Sequence, residues 1–368
     1  MKILVSLLSD QLPPNLLFIK EKQAEVQRHL FVTTNLMEQR GKAEQLARVA
    51  GLAAGQWQKV VVIEDSLDDI RHKLAALALP TDTKYLLNLT GGTKIMSIGV
   101  SRFFEEYDHE SYYSAIGTNA YKRIFPRDND RETPFAYALT LAEYFDTYGF
   151  QIIKSGLPPW ATETLSQQFY HLDVFQFQRE IRDLRTWQQK NRGLAFPIPP
   201  GNQLTELLRK VSWQTYRPGW LGADEIQFLI SGWWEAYLFF RLKKDLALPD
   251  AAIATGCHIR RDGATNEMDI VFLKNNKLFV VECKTGFDKA TFKDNFNDAI
   301  YKMAALRSAL GLRVPGFLAM LDLKLREQPS GNIKKDHADR AKAFDTTLID
   351  RKILNDAAAW QGIITKIK

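Results

Sequence analysis

Three side chains carry the clearest chemistry in this sequence: Asp269, Glu282 and Lys284. They lie in DIVFLKNNKLFVVECK, residues 269–284, which reads as two apolar strands joined at Asn275-Asn276. That pair tolerates the positive φ a tight hairpin needs. With the turn there, Lys274 faces Lys277, and further along the ladder Asp269 faces Glu282. Opposed residues have Cβ atoms about 4.5–5.5 Å apart, and opposed like charges destabilise a sheet. Two facing carboxylates therefore ask for a cation, and hard oxygen ligands suit Mg2+ or Mn2+. Alternation along the strands puts Glu267, Asp269, Glu282 and Lys284 on one face and buries Met268, Ile270, Phe272, Val281 and Cys283 on the other. The flanking runs IVF and LFVV read as strand buried on both sides. Acid-x-lysine also occurs at Asp82, Asp322 and Asp350. Only Asp322 rivals Glu282, because GFLAMLDLKL also reads as a strand, but it lacks a hairpin partner bearing an acid.

A hairpin of this kind needs packing on its apolar side. A helical pattern from Ala223 to about Asp245 precedes it, with Asp224 and Glu225 in the favourable first turn. Its middle, FLISGWWEAYLFF, is apolar nearly all round, the mark of a buried helix. Glu235 within it needs a partner, and Gly232 would let the helix approach the sheet closely. Thr285-Gly286 ends the second strand. A helix over Lys293–Leu310 carries Asn297, Tyr301 and Lys302, whose lysine could follow a phosphate backbone. Val314–Leu323 reads as a further strand, and Lys334, Lys335, Arg340 and Lys342 as either a basic patch or a solvated helix.

The N-terminal part has another rhythm. Strands are expected at residues 2–8, His29–Asn35, Lys59–Glu64 and Tyr85–Leu89, with helices over Glu38–Ala50 and from Ser66 onward, its N-cap. Pro13-Pro14 is expected to bar a helix until about Asn15. Strand–helix alternation argues for a parallel, doubly wound sheet, whose ligands sit at the carboxyl ends of strands. At that place the fourth strand runs into Asn88-Leu-Thr-Gly-Gly-Thr-Lys94 and an amphipathic helix capped by Thr93. Two glycines, a helix N-terminus, hydroxyls and Lys94 suit an anion, although the loop is neither a Walker loop nor GxGxxG. Tyr112-Tyr113 to Phe125 finishes the sheet, Phe135–Tyr148 and most of Ser166–Gln189 read as helical, and FPIPPG at 196–201 cannot continue a helix.

The length of 368 residues predicts two domains. Hydrophobic content of 45% and charged content of 25% are those of a soluble globular protein. Cys257 and Cys283 make neither a disulfide framework nor a zinc spacing, which fits a reducing cytoplasm. There is no secretory signal pattern and no apolar run long enough for a membrane span. A net charge of +6 leans toward a polyanionic partner.

The acid followed by acid-x-lysine on adjoining strands resembles the PD-(D/E)xK nuclease core. SDQLPPNLLFIK after the first strand, TTN after the second and NLTGGTKIMS after the fourth resemble the CARF domain. Together they resemble the cyclic-tetra-adenylate-activated CARF–PD-(D/E)xK nucleases of type III CRISPR defence. The resemblance implies an α/β chain with a Rossmann-like CARF domain at 1–145, a connecting segment at 146–222 and a restriction-endonuclease-like domain at 223–368. It implies a metal-dependent hydrolase of phosphodiesters in DNA or single-stranded RNA, with Asp269, Glu282 and Glu235 holding Mg2+ or Mn2+. The metal would polarise a phosphodiester and lower the pKa of a bound water, while Lys284 orients that water or stabilises charge on the phosphorane. It implies a homodimer whose two pockets share one cyclic oligoadenylate, each lined by Ser9, Asp10, Gln11, Thr33, Thr34, Thr90, Gly91, Gly92, Thr93 and Lys94. Some related nucleases carry Gln-x-x-x-Tyr on the helix after the hairpin. This chain has Asn297 at the first position, so only Tyr301 carries over. A second function class is a ligand-gated transcription regulator without catalysis, which would need a clear recognition helix. A third, metal-independent ribonuclease chemistry of the HEPN kind, would rest on the spacing Arg102 to His109, inside the expected sensor domain.

Overall fold

The hydrophobic runs of the N-terminal part do form strands. In this computed structural model, which describes residues 1–115, 117–127, 131–286, 292–321 and 323–368 and leaves aside the side chains of 292–295 and 323, they are β1 (Lys2–Leu7), β2 (Arg28–Thr34), β3 (Trp57–Val62), β4 (Lys84–Asn88), β5 (His109–Tyr113), β6 (Ala120–Phe125) and β7 (Glu132–Pro134). Among the described residues the sheet order is β3-β2-β1-β4-β5-β6-β7. The strands from β3 through β5 run parallel, and β6 and β7 return antiparallel. The chain moves outward from β1 to β3 and then crosses back to β4, so the reversal of strand order lies between β1 and β4. Ligand crevices form at such a switch point. Ile3, Val5 and Leu7 face the helices Leu67–Ala75 and Lys94–Phe103, which contribute Ile70, Leu74, Met96 and Val100 to one core.

Three local expectations fail. The first helix begins at Pro13, not Asn15, because its first positions have no intrahelical acceptor and lose nothing to proline. The helix expected over Glu38–Ala50 is two, Asn35–Gln39 and Lys42–Ala50, parted at Gly41 with φ 63°. Only Leu141–Thr147 of the stretch 135–148 is helical, started by a Thr140/Glu143 capping box.

Contact density divides the chain into two units: Met1–Gln151 with Asn275–Lys277 and Leu310–Arg313, and Ile152–Lys274 with Leu278–Ala309 and Val314–Lys368. The remaining strands are β8 (Gln151–Lys154), β9 (Phe196–Pro197), β10 (Trp220–Leu221), β11 (Ile253–Arg261), β12 (Ala264–Lys274), β13 (Lys277–Lys284), β14 (Gly316–Met320) and β15 (Thr346–Asp350). Among the described residues the main sheet of the second unit is ordered β15-β14-β13-β12-β11-β8. β11 and β12 pair antiparallel, while β13, β14 and β15 run parallel.

Asn275 and Asn276, with φ of 52° and 59°, form the expected turn between β12 and β13. Phe272 and Phe279 stack at 4.9 Å with rings 7° apart, as the expected pairing of these strands requires. The apolar face of the hairpin, Ile270, Phe272, Phe279, Val281 and Cys283, joins the core of this unit. The same core takes Phe169, Phe177, Ile181, Leu184, Leu204 and Leu207. Of the segment 146–222 expected to connect, residues 152–222 are thus built into the second unit, because their helices carry too much apolar surface to stand as a spacer.

Candidate active site

The helix in front of the sheet is not regular. Ala223–Gln227 passes into a π turn at Phe228–Gly232 and then into the α-helix Trp233–Asp245. Inserting a wide turn rotates everything after it, and such turns recur at functional sites. Trp233 and Trp234, both fully buried, anchor the rotated helix, and Trp234 Nε1 donates to the Ala319 carbonyl of β14 at 3.1 Å. Glu235 is then directed away from that core. Gly232 does not serve close approach to the sheet: the three atoms nearest to a Cβ there belong to Phe228 and Gln227 of its own helix turn, at 3.4 Å and beyond.

Glu235, Glu267, Asp269, Glu282 and Lys284 line one open cavity of about 380 Å³, with Arg185, Gln227, Ser231, Thr285 and Lys302 also in its walls. The four residues singled out on the sequence for chemistry, Asp269, Glu282, Lys284 and Glu235, are thus brought together. Asp269 Oδ2 accepts the Cys283 backbone N–H at 2.6 Å, so its carboxylate lies across to β13. Glu282 is 2% exposed, and its Oε1 accepts from Lys284 Nζ at 2.6 Å and from Lys302 Nζ at 3.4 Å. Sequence reasoning placed Lys302 near a phosphate backbone but not beside Glu282. It missed Arg185 altogether, whose Nη2 donates to Thr285 Oγ1 at 3.4 Å, next to Lys284 in the chain. Nothing in the pattern of residues 178–190 ties that helix to residues 100 positions later.

Burial pushes the Glu235 carboxyl up to about 8, helped by the negative charges of Asp269, Glu267 and Glu282 and opposed by Lys284. Burial likewise pushes Asp269 up to about 6, with Glu282 adding to it and Lys284 opposing. Lys284 is held above the ordinary lysine range: burial works against its charge, but Glu282 and Asp269 outweigh it. Glu235 and Asp269 thus resist ionisation until a positive charge enters.

The expected three-carboxylate ligand set does not stand ready. Among the described residues no three His, Cys, Asp or Glu side chains gather closely enough to hold an ion. Asp269 is turned to the Cys283 N–H and Glu282 to two lysines. The chemistry of the donors still fits a hard cation, since Mg2+ is held through one or two carboxylates plus water and substrate phosphate.

Other candidates fall away. Tyr301 lies outside the cavity lining, its hydroxyl accepting from Arg340 Nη1 at 2.8 Å and its ring against Phe344. Lys84 pairs with Glu110 at 2.8 Å, and Asp350 caps the helix Arg351–Asn355 and pairs with Arg326. Asp322 lies outside the described residues. His109 stacks on Phe125 at the start of β5.

In the first unit the residues expected to bind a ligand collect at the carboxyl ends of β1, β2 and β4, but with divided duties. Thr93 caps the helix Lys94–Phe103, accepting the Met96 N–H at 3.1 Å, and donates to the Glu64 carbonyl at 2.6 Å. Thr93, Lys94 and Gly92, with φ 69°, are exposed. Thr90 Oγ1 accepts the Ser114 N–H at 3.0 Å, and Ser9 Oγ accepts the Gln11 N–H at 3.3 Å. Asp10, the awkward member for a phosphate site, pairs with Arg40. Gln11 does not project freely, because its Oε1 accepts from Tyr148 Oη at 2.7 Å and from the Leu312 N–H at 3.2 Å. Thr33 is fully buried, and Thr34 caps the helix Asn35–Gln39. Gly91 serves packing more than anion approach: a Cβ there would stand 2.0 Å from the Leu7 carbonyl oxygen.

Comparison with known proteins bears on both units. Residues 3–144 match the family model "Card1 CARF domain", and residues 223–342 match "Card1-like, endonuclease domain". No curated protein matches the chain in sequence. Among solved structures, Can2 from Sulfobacillus thermosulfidooxidans in complex with cyclic tetra-adenylate is similar at a TM-score of 0.73 and 21% identity, over 99% of each chain. Protein VC1899 from Vibrio cholerae is similar at 0.78 and 16%, over 100% of this chain and 98% of that one. A type III CRISPR defence DNA nuclease activated by cyclic oligoadenylate is similar at 0.55 and 16%, over 92% of this chain, which spans about half the length of that one. At these identities the likeness establishes the fold.

Proposed function

We propose, for a chain that belongs to the family joining a Card1-type CARF domain to a Card1-like endonuclease domain, that it is a nuclease activated by cyclic oligoadenylate and dependent on a divalent metal, acting in type III CRISPR antiviral defence. The observation that carries this is the cavity in which Asp269, Glu282, Lys284 and Glu235 converge, with the first and last raised to about 6 and about 8. A Mg2+ or Mn2+ ion held by Asp269 and Glu282, with Glu235 beside them, supplies Lewis acidity toward a phosphodiester and a water of lowered pKa. Lys284 stays protonated under the influence of Glu282 and Asp269, so it places positive charge where a pentavalent phosphorane gathers negative charge. Lys302, reaching the same Glu282 oxygen, places a second. Near neutral pH Glu235 retains its proton until positive charge arrives, which makes it a proton store at the edge of the site.

The activator of the proposal is cyclic tetra-adenylate, the ligand named for Can2. Lys94, the capped helix behind it and the exposed Gly92-Thr93 edge offer the donors for its phosphates. A homodimer would let one ring engage two such rims, and the ligand favours the active state only by its differential affinity for it. No helix among the described residues is long and apolar enough to cross a membrane, and a cytoplasmic site of action is part of the proposal.

The test is direct. Single-stranded DNA, single-stranded RNA and nicked duplex are incubated with the protein, with and without cyclic tetra-adenylate, in Mn2+ or in EDTA. Cleavage of any substrate only with both activator and metal supports the reading. Cleavage in EDTA overturns it, and so does a gel shift without strand loss in Mn2+.

A further inference from the structure

The helix Gln178–Lys190 supplies Arg185 to the cavity wall, yet its other arginines do not serve the fold. Its buried side is Ile181 and Leu184. Arg179, Arg182 and Arg185 follow one another at three-residue spacing, which keeps them on one broad face. Arg185 is the inner member, part-buried, donating to Thr285 Oγ1 directly after Lys284. Arg179 and Arg182 are exposed. No acid pairs with either among the described residues, although Asp183 borders that face. By contrast, the exposed Arg209 of the same unit makes a two-bond fork with Glu206. A row of guanidinium groups that begins inside the acid-lined cavity and continues outward along one helix is a charge pattern complementary to a chain of phosphates.

We propose that Arg185, Arg182 and Arg179 form a phosphate track that leads a nucleic-acid strand into the cavity. The proposal rests on the nuclease reading above and adds which residues hold the strand. Arg185 holds the phosphate nearest the scissile one, and Arg182 and Arg179 hold successive phosphates of the strand outside. Arginine suits this role because its planar fork meets two phosphate oxygens at once. The contacts are to backbone, so the track confers affinity without base preference.

The experiment reads counterion release. A Glu282→Gln protein in Mg2+ with saturating cyclic tetra-adenylate is titrated with a labelled single-stranded oligonucleotide by fluorescence anisotropy across a KCl series. Each phosphate contact contributes about 0.7 to the slope of log K against log salt for a single strand and about 0.9 for duplex. Adding Arg179→Gln with Arg182→Gln should therefore lower the slope by about 1.4 on single strands, while Arg209→Gln, which removes one positive charge elsewhere on the same unit, leaves it in place. In the protein with intact Glu282, the same pair of substitutions should raise KM and leave kcat. If the parent shows a salt slope that the double substitution does not change, or if Arg209→Gln lowers it as much, the track is overturned and the nuclease reading stands. If the parent shows no salt-dependent binding and the intact protein cuts nothing, both fall together.

Discussion

Replacing Asp269 with asparagine should inactivate the protein and yet stabilise its metal-free fold at alkaline pH. Asp269 sits ordinarily at 3.8 and is raised to about 6 by burial first and the Glu282 charge second. An acid raised in this way contributes stability that is fully present below its unfolded-state value and is lost as pH rises through the folded-state one. At 1.36 kcal/mol per pKa unit, the charge at pH 8 costs roughly 3 kcal/mol relative to the unfolded chain. Asparagine keeps the carbonyl that accepts the Cys283 N–H and drops the charge. The attraction to Lys284 and Lys302 is already contained in that shift, so the relief is at most about 3 kcal/mol, or roughly 6–12 °C in the melting of a unit this size. Melting curves in EDTA should show Asp269→Asn above the parent at pH 8 and level with it at pH 4. Mn2+ should then raise the parent and not the variant. If Asp269→Asn melts below the parent at pH 8 in EDTA, the carboxylate is a net stabiliser without metal, and the reasoning about the cavity fails.

Further outcomes follow from the same geometry. Because Glu235 is raised to about 8, Mn2+ binding at pH 7 should release protons, seen as a heat that differs between buffers of different ionisation enthalpy; equal heats would contradict it. Lys302→Met should lower cleavage about tenfold, the equivalent of about 1.4 kcal/mol of transition-state stabilisation, while leaving melting unchanged; unaltered turnover refutes a role for it. Lys94→Ala should raise the activator concentration needed for half-maximal cleavage without altering the rate at saturation. Gly91→Ala, which drives a Cβ to 2.0 Å from a backbone oxygen, should cost about 1–3 kcal/mol in the first unit and weaken activator binding; an unchanged melt there means the loop is not tightly packed.

The parts of this protein that declare themselves in sequence are those governed by short-range periodicity. The hairpin was legible because Asn275-Asn276 fixes the turn and alternation then fixes both faces, down to the Phe272–Phe279 stack. The doubly wound sheet was legible from strand–helix alternation, and Thr93 and Ser66 cap helices as their types require. The π turn before Glu235 was not, because one inserted residue leaves an all-round apolar helix looking the same. Nor was the absence of a ready-made three-acid set, which depends on where Cys283 N–H and two lysine heads point. Gln11 reads as a free polar side chain after β1, and only a partner more than 130 residues away, Tyr148, shows that it is held. Arg185 belongs to the same class: its place is set by tertiary packing of Ile181 and Leu184, not by any motif.

The central claim is that one acid pair beside a lysine makes the hydrolytic centre. Its most direct measurement is strand cleavage by Glu282→Ala at saturating cyclic tetra-adenylate and Mn2+, alongside calorimetric binding of the activator to the same variant. The account predicts no cleavage with activator affinity unchanged. Cleavage at the parent rate would contradict it.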